Sequence, residues 1–563
     1  MRSAHPVLLL LLAFLAALLA DPVVAGEPEA KGFPAPKAIE IPMRDGQRLA
    51  ADLYLPAAEP EGKFPTVLIQ TPYNRAAYAK PGNEHAGRAL LDREHYVYVI
   101  LDWRGFYGSK AAGSAAGGRA RGQDGFDAVE WIARQAWSDG KVGTWGASAL
   151  GQVQYYTAAA GPPHLVCCVP VVAGYGQSYD GFYHGGVFRK AYADNMKLVG
   201  WGAIAQFAEG HPLCDGLWKL AERAPDYGKL DVPMLVLTGW SDHGTDGTIA
   251  TFRRLRAEGG PKARKETRLV VGPWGHCDVD GGSVGELKFP EAGGAAARAA
   301  TQFFDYWLRG LKDNGFEKAP VVRWYQTGAN HWREAPDWPP HGVAERQLYL
   351  GADGRLAEMK PDGEAAADEL KYDPADPSPT VGGTNFSLRV LGARGSVAAG
   401  PFDQRAKVES RKDCLVYTAA PLERELALAG NAKARLFVAT DRADTDFAVR
   451  LCDVWPDGRS MLVTDGIRRL SLRDSLEKRS AVKPGEVCEL AVELPVAAHA
   501  FLQGHRIRVI VTGSNYPRFE RNPNNGKSEF QADEALAATD QVWRGGERAS
   551  ALVLPAVAEK KAE

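Results

Sequence analysis

Short apolar runs alternate with helix-like segments between residues 49 and 271. This alternation limits the possible folds of the chain more than any other feature of the sequence. Seven runs have the length and composition of strands: Leu49–Leu55, Thr66–Gln70, Tyr96–Asp102, Val142–Trp145, Val166–Val172, Met234–Thr238 and Arg268–Val271. Several are apolar throughout, as expected of strands buried on both faces. Between them, windows such as Asp124–Arg134 repeat apolar residues at helical spacing. This alternation predicts an α/β fold built on a parallel sheet.

Two later segments break the alternation. Residues Tyr175–Tyr227 are rich in Trp, Phe, Tyr and Gly, and we predict a helical insertion that caps the edge of the sheet. After Lys312, short apolar runs are separated by Gly, Pro, Asp and Asn clusters, which is typical of an antiparallel β-sandwich. These runs are Val321–Tyr325, Gln347–Leu350, Cys414–Tyr417, Ala434–Ala439, Phe447–Asp453 and Arg506–Thr512. We predict an α/β domain over residues 37–312, with its cap at about 175–228, and a β-sandwich domain over 313–558.

The N-terminus has the three parts of a secretory signal. Arg2 supplies a positive charge, Val7–Ala20 is almost entirely Leu and Ala, and small residues end at Ala25. The apolar run is shorter than the about 20 residues that a spanning helix needs. We therefore predict a signal peptide over Met1–Ala25, a linker over Gly26–Pro36, and export to the periplasm or the exterior. An uncleaved membrane anchor is the alternative.

Charge and cysteine content exclude several classes of partner. Lys plus Arg number 67 and Asp plus Glu 69, a net charge of −2, so no strong field draws the chain to nucleic acid or to an anionic membrane. The seven cysteines lack C-x-x-C spacing, so we predict neither a zinc site nor a disulfide framework. We expect mostly free thiols, with one or two bridges as the alternative in an exported chain. A small molecule is the expected partner, and no metal or cofactor is predicted.

A glycine-rich segment around Ser148 carries the first chemical signal. Gly146-Ala-Ser148-Ala-Leu150-Gly151 follows a predicted strand and opens a predicted helix, Ala149–Ala160. A serine on such a sharp strand-to-helix turn forms the nucleophile elbow of α/β hydrolases. The usual G-x-S-x-G pattern is altered, since Leu150 occupies the second glycine position and Gly151 comes one residue later. A glycine-rich packing turn without catalytic function is the alternative.

An elbow serine needs a base, and the base needs an acid to orient it. Asp242 follows one predicted strand and His276 follows the next, which matches the order Ser, Asp, His of α/β hydrolases. His243 and Asp246 lie beside Asp242 in sequence. For both we expect solvent-facing loop residues, but the sequence leaves open whether Asp242 or Asp246 orients the histidine.

The oxyanion of an acyl-transfer intermediate needs two hydrogen-bond donors. The backbone N–H of Ala149, the residue after the nucleophile, is the expected first donor. No glycine-rich donor loop is present, but an early strand ends in Thr71-Pro72-Tyr73-Asn74. Proline has no N–H to give, whereas the phenol of Tyr73 can donate. An aromatic ring that only packs at the strand end is the alternative for Tyr73.

These motifs together resemble the CocE/NonD serine hydrolases, which include bacterial cocaine esterases, α-amino acid ester hydrolases and the catalytic part of Xaa-Pro dipeptidyl-peptidases. The resemblance covers nearly all of the chain after residue 36. It rests on the opening hairpin from Ile41, on Thr71-Pro-Tyr73-Asn, Asp102-Trp-Arg-Gly-Phe-Tyr-Gly-Ser, Trp137-Ser-Asp-Gly-Lys-Val-Gly, Gly239-Trp-Ser-Asp242 and Gly272-Pro-Trp-Gly-His276, and on Tyr372-Asp-Pro-Ala-Asp-Pro and Thr440-Asp-Arg-Ala-Asp-Thr-Asp-Phe downstream.

The resemblance implies an α/β-hydrolase fold with a helical cap, followed by an all-β jelly roll of the galactose-binding type. It implies a triad of Ser148, His276 and Asp242, with Tyr73 and Ala149 as oxyanion donors, and an acyl-enzyme formed from a small ester or amide. No membrane or nucleic-acid partner and no cofactor are implied. The α-amino acid ester hydrolases carry acidic residues just after the serine and the aspartate, where this chain has Ala149-Leu150-Gly151 and His243-Gly244-Thr245.

Two other functions stay open from sequence. An Xaa-Pro dipeptidyl-peptidase of the same family would need an anchor for the substrate ammonium, and the predicted cap supplies Asp180 and Asp194 as candidates. A non-catalytic binding protein on the same fold is the alternative from a different class. A complete triad argues against it, because a degenerate relative would usually have lost one member.

Overall fold

The computed structural model describes residues 35–56, 62–79, 90–113, 117–176, 178–221, 226–393, 395–530 and 534–558. The predicted signal peptide Met1–Ala25 and all of the predicted linker except its last two residues lie outside this part of the chain. Within the described ranges, no helix is both long enough and apolar enough to cross a membrane.

Within the part of the chain that the structure describes, a ten-stranded sheet forms the centre of the first domain, in the order β1-β2-β4-β3-β5-β6-β9-β10-β13-β14. Its strands are β1 (Lys37–Pro42), β2 (Arg48–Tyr54), β3 (Phe64–Thr71), β4 (Val97–Asp102), β5 (Ser138–Ala147), β6 (Leu165–Val171), β9 (Leu235–Gly239), β10 (Arg268–Gly272), β13 (Val322–Gln326) and β14 (His331–Ala335). The strands from β4 to β13 in this order run parallel, whereas β1, β2 and β14 pair antiparallel at the two edges. Each of the seven runs predicted as strands overlaps an observed strand.

Helices cover both faces of this sheet. They are α1 (Gly117–Ala133), α2 (Ala149–Ala160), α7 (Thr245–Glu258), α8 (Pro261–Glu266) and α9 (Ala295–Phe304). Apolar residues of α1, α2 and α7 share one core with one face of the strands, and α9 packs into a second core on the other face. Burial on both faces explains why β4 and β9 are apolar along nearly their whole length.

The predicted cap lies between β6 and β9. It contains α3 (Tyr179–Phe182), a hairpin of β7 (Tyr183–His184) and β8 (Val187–Phe188), then α4 (Lys190–Leu198), α5 (Gly202–Gly210) and α6 (Gly216–Ala221). Its aromatic residues form a small core of their own. The hairpin also touches the C-terminal domain, since the Arg469 N–H donates to the Gly185 carbonyl at 3.0 Å. The cap is therefore in contact with the C-terminal domain.

Among the described residues, thirteen strands form the sheet system of the all-β C-terminal domain. They are β15 (Val343–Leu350), β16 (Arg355–Ala357), β17 (Ala366–Tyr372), β18 (Leu415–Ala419), β19 (Leu426–Gly430), β20 (Lys433–Thr440), β21 (Asp446–Val454), β22 (Ser460–Arg469), β23 (Cys488–Glu493), β24 (Ala497–Phe501), β25 (Arg506–Thr512), β26 (Ala538–Arg544) and β27 (Ala551–Val557). Another small hairpin, β11 (Ser283–Val284) with β12 (Leu287–Lys288), precedes α9.

One assignment from the sequence is wrong. The run Val321–Tyr325 was predicted to open the C-terminal domain, but Val322 pairs with Leu269 of β10, and β13 continues the first sheet. The change from one sheet to the other therefore falls between Ala335 and Val343. A five-residue strand pattern shows that a strand forms, but it does not select the sheet that the strand joins.

Candidate active site

The predicted site residues follow strands that lie side by side in the first sheet. Tyr73 comes after β3, Ser148 after β5, Asp242 after β9 and His276 after β10. Because β3, β5, β6, β9 and β10 are parallel neighbours, their carboxyl ends meet at one edge. Ligands of α/β sheets bind at this edge.

The turn at Ser148 is sharp. Ser148 has φ 59° and ψ −122°, a conformation that side-chain-bearing residues rarely adopt, and it caps the start of α2. The Ser148 N–H donates to the Val171 carbonyl at 2.9 Å, so this N–H is not available to bind a substrate oxygen. The Ala149 N–H begins the helix and has no acceptor within it. Backbone strain of this kind is typical of functional sites.

Two glycines make this turn sterically feasible. Gly146 has φ +146°, and a Cβ there would lie 2.5 Å from the Cβ of Leu150. A Cβ on Gly151 would lie 2.7 Å from the Ala173 Cβ and 3.0 Å from two backbone carbonyl oxygens. The close helix-to-strand approach thus occurs at Gly151, which explains why Leu150 is tolerated in the position that usually holds glycine.

Asp242 and His276 are in direct contact. The His276 Nδ1 lies 2.7 Å from the Asp242 Oδ1, and both side chains are buried. Burial by itself would raise the pKa of Asp242. The electrostatic interactions with His243 and His276 outweigh burial and hold the pKa of Asp242 well below its usual range. An ionised carboxylate only accepts, so Nδ1 carries the hydrogen and the lone pair is on Nε2.

Asp246 lies away from His276. Its Oδ1 accepts from the Asn431 side chain at 2.8 Å and from the Val496 N–H at 3.1 Å, both in the C-terminal domain. Asp246 is exposed, as expected from the sequence, but it lies in the first turn of α7 and links that helix to the C-terminal domain. Of the two candidate acids, the structure places only Asp242 against the histidine.

His243 also differs from its prediction as a solvent-facing loop residue. Its Nδ1 lies 3.0 Å from the Asp242 Oδ1, and its ring centroid lies 4.5 Å from that of His276. Burial lowers the pKa of His243 to about 4 despite the nearby carboxylate, so its imidazole is neutral near pH 7. Two histidines therefore face a single carboxylate oxygen.

Tyr73 lines the cleft beside Ser148. Of the surface of Tyr73, 39% is accessible to solvent. The protein around the phenol still raises its pKa by desolvation, whereas hydrogen bonds with the side chains of Trp201 and Ser148 act in the opposite direction. Tyr73 is thus accessible to solvent while protein surrounds it closely, as expected of a residue in the wall of a cleft. The phenol stays protonated and can donate.

Several residues at the site were not identified from the sequence. Phe386, from a loop of the C-terminal domain, packs edge-on against His276 at 4.9 Å, and Tyr192 of the cap lies 5.9 Å from Phe386. The buried Arg189 donates to the His243 carbonyl at 3.1 Å. Residues of the α/β domain, the cap and the C-terminal domain therefore all border the site.

Cys277 is a second nucleophile-type side chain near the base. Burial raises the pKa of its thiol to about 12, so it is not a thiolate at neutral pH. All seven cysteines of the chain are described, and none forms a disulfide. Ser148, on the strained turn at the same edge, stays the nucleophile predicted from the sequence.

Known proteins share both halves of this architecture. The family model described as X-Pro dipeptidyl-peptidase (S15 family) matches residues 45–208 and 202–278, and the X-Pro dipeptidyl-peptidase C-terminal non-catalytic domain matches residues 314–553. Cocaine esterase of Rhodococcus sp. (strain MB1 Bresler) is 31% identical over 581 residues, covering 92% of this chain and 98% of that protein.

Two solved structures are similar along nearly their full length. An aminopeptidase from a marine sediment archaeon, Thaumarchaeota archaeon, superposes with a TM-score of 0.79 at 27% identity, covering 96% of this chain and 99% of that one. An α-amino acid ester hydrolase gives a TM-score of 0.79 at 25% identity, covering 95% and 98%.

Proposed function

Because this chain belongs to the CocE/NonD family of serine hydrolases, we propose that it cleaves ester or amide bonds of small acyl substrates through an acyl-enzyme on Ser148. The observation that carries this proposal is the 2.7 Å contact between His276 Nδ1 and Asp242 Oδ1, at the same sheet edge as the strained turn of Ser148.

His276 is the general base of the proposed reaction. With its Nδ1 hydrogen held by Asp242, the Nε2 lone pair takes the proton of Ser148 as Oγ attacks the acyl carbonyl. The ionised Asp242 then stabilises the imidazolium. His276 returns the proton to the leaving oxygen or nitrogen as the tetrahedral intermediate collapses. A water molecule, deprotonated by the same imidazole, releases the acid and restores Ser148.

Two donors serve the oxyanion of each tetrahedral intermediate. The Ala149 N–H lies at the start of α2, where the helix dipole also favours negative charge. The Tyr73 phenol is the second donor, since it stays protonated beside Ser148. Donors fixed before reaction stabilise the developing charge without reorganising.

The walls of the cleft favour an apolar acyl group. Phe386, Tyr192 and Trp201 border the catalytic residues, and they come from the C-terminal domain and the cap. Aromatic rings contribute large apolar contact areas. We therefore expect ester turnover to be faster for small aromatic or short aliphatic acyl groups than for charged ones.

The test compares the purified chain with its Ser148→Ala variant on p-nitrophenyl esters. We expect ester turnover in the parent protein and its loss in the variant at an unchanged melting temperature. Equal activity in the two proteins would contradict the assignment of Ser148. Failure of a fluorophosphonate probe to label the parent protein would instead favour a binding protein.

An Xaa-Pro dipeptidyl-peptidase is the second candidate, because the S15 model and a solved aminopeptidase both match. Such an enzyme must bind a substrate ammonium. Of the carboxylates that the sequence offered, Asp194 is already paired with Lys190 at 2.7 Å. Turnover of Gly-Pro-p-nitroanilide above that of the esters would favour the peptidase.

We also propose that the chain is exported, on the strength of Arg2, the apolar run Val7–Ala20 and the small residues before Gly26. N-terminal sequencing of protein recovered from the culture medium or the periplasm is expected to begin at Gly26. A chain that retains Met1 in the membrane fraction would show an uncleaved anchor instead.

A further inference from the structure

We propose that Asp242, His243 and His276 bind a divalent transition-metal ion such as Zn²⁺, and that this ion inhibits hydrolysis by withdrawing His276 from catalysis. The inhibition rests on the proposed function, whereas the metal site itself does not. The ion is an inhibitor here and takes no part in the reaction.

The ligand atoms are already close together. One atom from each of the three side chains lies within 4.8 Å of the other two, and both imidazole Nδ1 atoms approach the Asp242 Oδ1, at 2.7 and 3.0 Å. Zinc bonds of about 2.0–2.1 Å in a tetrahedral arrangement separate neighbouring ligand atoms by roughly 3.3 Å. To admit the ion, the two Nδ1–Oδ1 pairs would have to open by about 0.3–0.6 Å. The remaining pair, which lies within 4.8 Å, would close by up to about 1.5 Å, and water would complete the coordination.

Two buried atoms at this point lack a hydrogen-bond partner among the described residues. They are the Asp242 Oδ2 and the His243 Nδ1. The His243 Nδ1 is near the carboxylate but in a direction that does not meet hydrogen-bond geometry. Buried polar atoms without partners are uncommon in folded proteins and need a physical reason. A cation held at Oδ1 would give the His243 Nδ1 a partner, and a carboxylate that binds it through both oxygens would give the Asp242 Oδ2 one as well.

The two imidazole rings are held in place by their neighbours. The ring of His243 lies 4.8 Å from Tyr192 and 5.2 Å from Phe386, and Phe386 also packs against His276. The His243 carbonyl accepts from Arg189. Rings fixed by packing and hydrogen bonding lose little freedom when a metal binds.

The surrounding charges set the expected strength of binding. Asp242 supplies one negative charge, while the buried Arg189 guanidinium lies close enough to oppose a dication. The neighbouring Cys277 remains a thiol. Three ligands with an opposing cation predict micromolar binding, much weaker than closed four-ligand zinc sites.

The inhibition follows from the two nitrogens of His276. A metal ion bonded to Nδ1 takes the lone pair there, and the ring hydrogen moves from Nδ1 to Nε2. A protonated Nε2 can no longer accept the proton of Ser148. No proton is released when neutral His276 binds the ion in this way, and removal of the ion restores the base.

The test titrates ZnCl₂ against p-nitrophenyl ester hydrolysis by the full chain in metal-free buffer. We expect saturable inhibition in the micromolar range that EDTA reverses, and no inhibition by Mg²⁺, which prefers oxygen ligands. His243→Phe and His243→Asn should each raise the inhibition constant by about 100-fold or more, since even outer-shell partners are worth 10–100-fold. His95→Gln, which removes a surface histidine paired with Asp92, is the matched control and should leave the constant unchanged.

Co²⁺ absorption gives a readout that needs no turnover. The full chain and its Ser148→Ala variant should both show a saturable visible band that His243→Asn removes. Were the ester assay silent but the band present, the site would stand and the proposed function would fail. Equal zinc inhibition in parent and His243 variants, or no cobalt band that depends on His243, would overturn the site.

Discussion

Replacing Asp242 and Asp246 separately by asparagine distinguishes the two carboxylates that the sequence left as alternatives. Asp242 accepts from the His276 Nδ1 at 2.7 Å, whereas Asp246 accepts from Asn431 and Val496 of the C-terminal domain. We therefore expect the two variants to lose different properties: Asp242→Asn loses rate, and Asp246→Asn loses stability.

The expected loss for Asp242→Asn follows from the tautomer of His276. An asparagine can offer its N–H₂ to Nδ1, which moves the ring hydrogen to Nε2 and removes the base. It also removes the charge that stabilises the imidazolium. Loss of both typically lowers kcat by about 10⁴-fold, which corresponds to about 5.4 kcal/mol of transition-state stabilisation.

Asp246→Asn keeps the size of the side chain but removes its charge. The hydrogen bond from the Val496 N–H at 3.1 Å then joins two neutral groups and is weaker. We expect the free energy of unfolding to fall by about 1 kcal/mol. The contact joins α7 to the C-terminal domain and does not involve His276. We therefore expect kcat for p-nitrophenyl acetate to stay within about threefold of the parent value.

The assay measures kcat and KM for both variants, with urea unfolding in parallel. A drop of 10³-fold or more in Asp246→Asn, with Asp242→Asn nearly unaffected, would refute this assignment of the acid. A large loss in both variants at normal stability would show that the carboxylates act together on His276.

Three further outcomes are expected. Tyr73→Phe should lower kcat by about 10²–10³-fold at unchanged melting temperature, because one oxyanion donor is lost; a change of less than threefold would make Tyr73 a packing residue. Gly151→Ala should destabilise the fold by about 1–3 kcal/mol in urea, because the new Cβ would lie 2.7 Å from the Ala173 Cβ; unchanged stability would contradict the tight turn. Burial raises the pKa of Asp540 to about 7, so ionisation of Asp540 lowers the stability of the parent protein relative to Asp540→Asn as pH rises from about 4 to about 7. The variant's advantage should therefore grow over this range to at most about 4 kcal/mol, and a difference that is constant with pH would refute it.

The parts of the site that follow strands could be predicted from the sequence. Ser148, Asp242 and His276 each lie within four residues of the end of a strand, and parallel strands bring their carboxyl ends together. Gly146 and Gly151 marked the turn because close backbone approach tolerates no side chain.

The parts that depend on long-range packing could not be predicted. Phe386 belongs to a loop of the other domain, and nothing in its neighbourhood marks it as a partner of His276. His243 had an ambiguous position, because a histidine beside a loop aspartate is as consistent with a solvated turn as with a buried contact. The strand at Val322 formed as expected but joined the first sheet, because the local pattern does not encode the pairing partner.

In the proposed reaction Ser148 carries the acyl group. Peptide mass spectrometry of the protein after reaction with a fluorophosphonate tests this role of Ser148. We expect one adduct, on the peptide that contains Ser148, and none on the folded Ser148→Ala variant. An adduct on a different residue, or none on an active parent protein, would show that Ser148 is not the nucleophile.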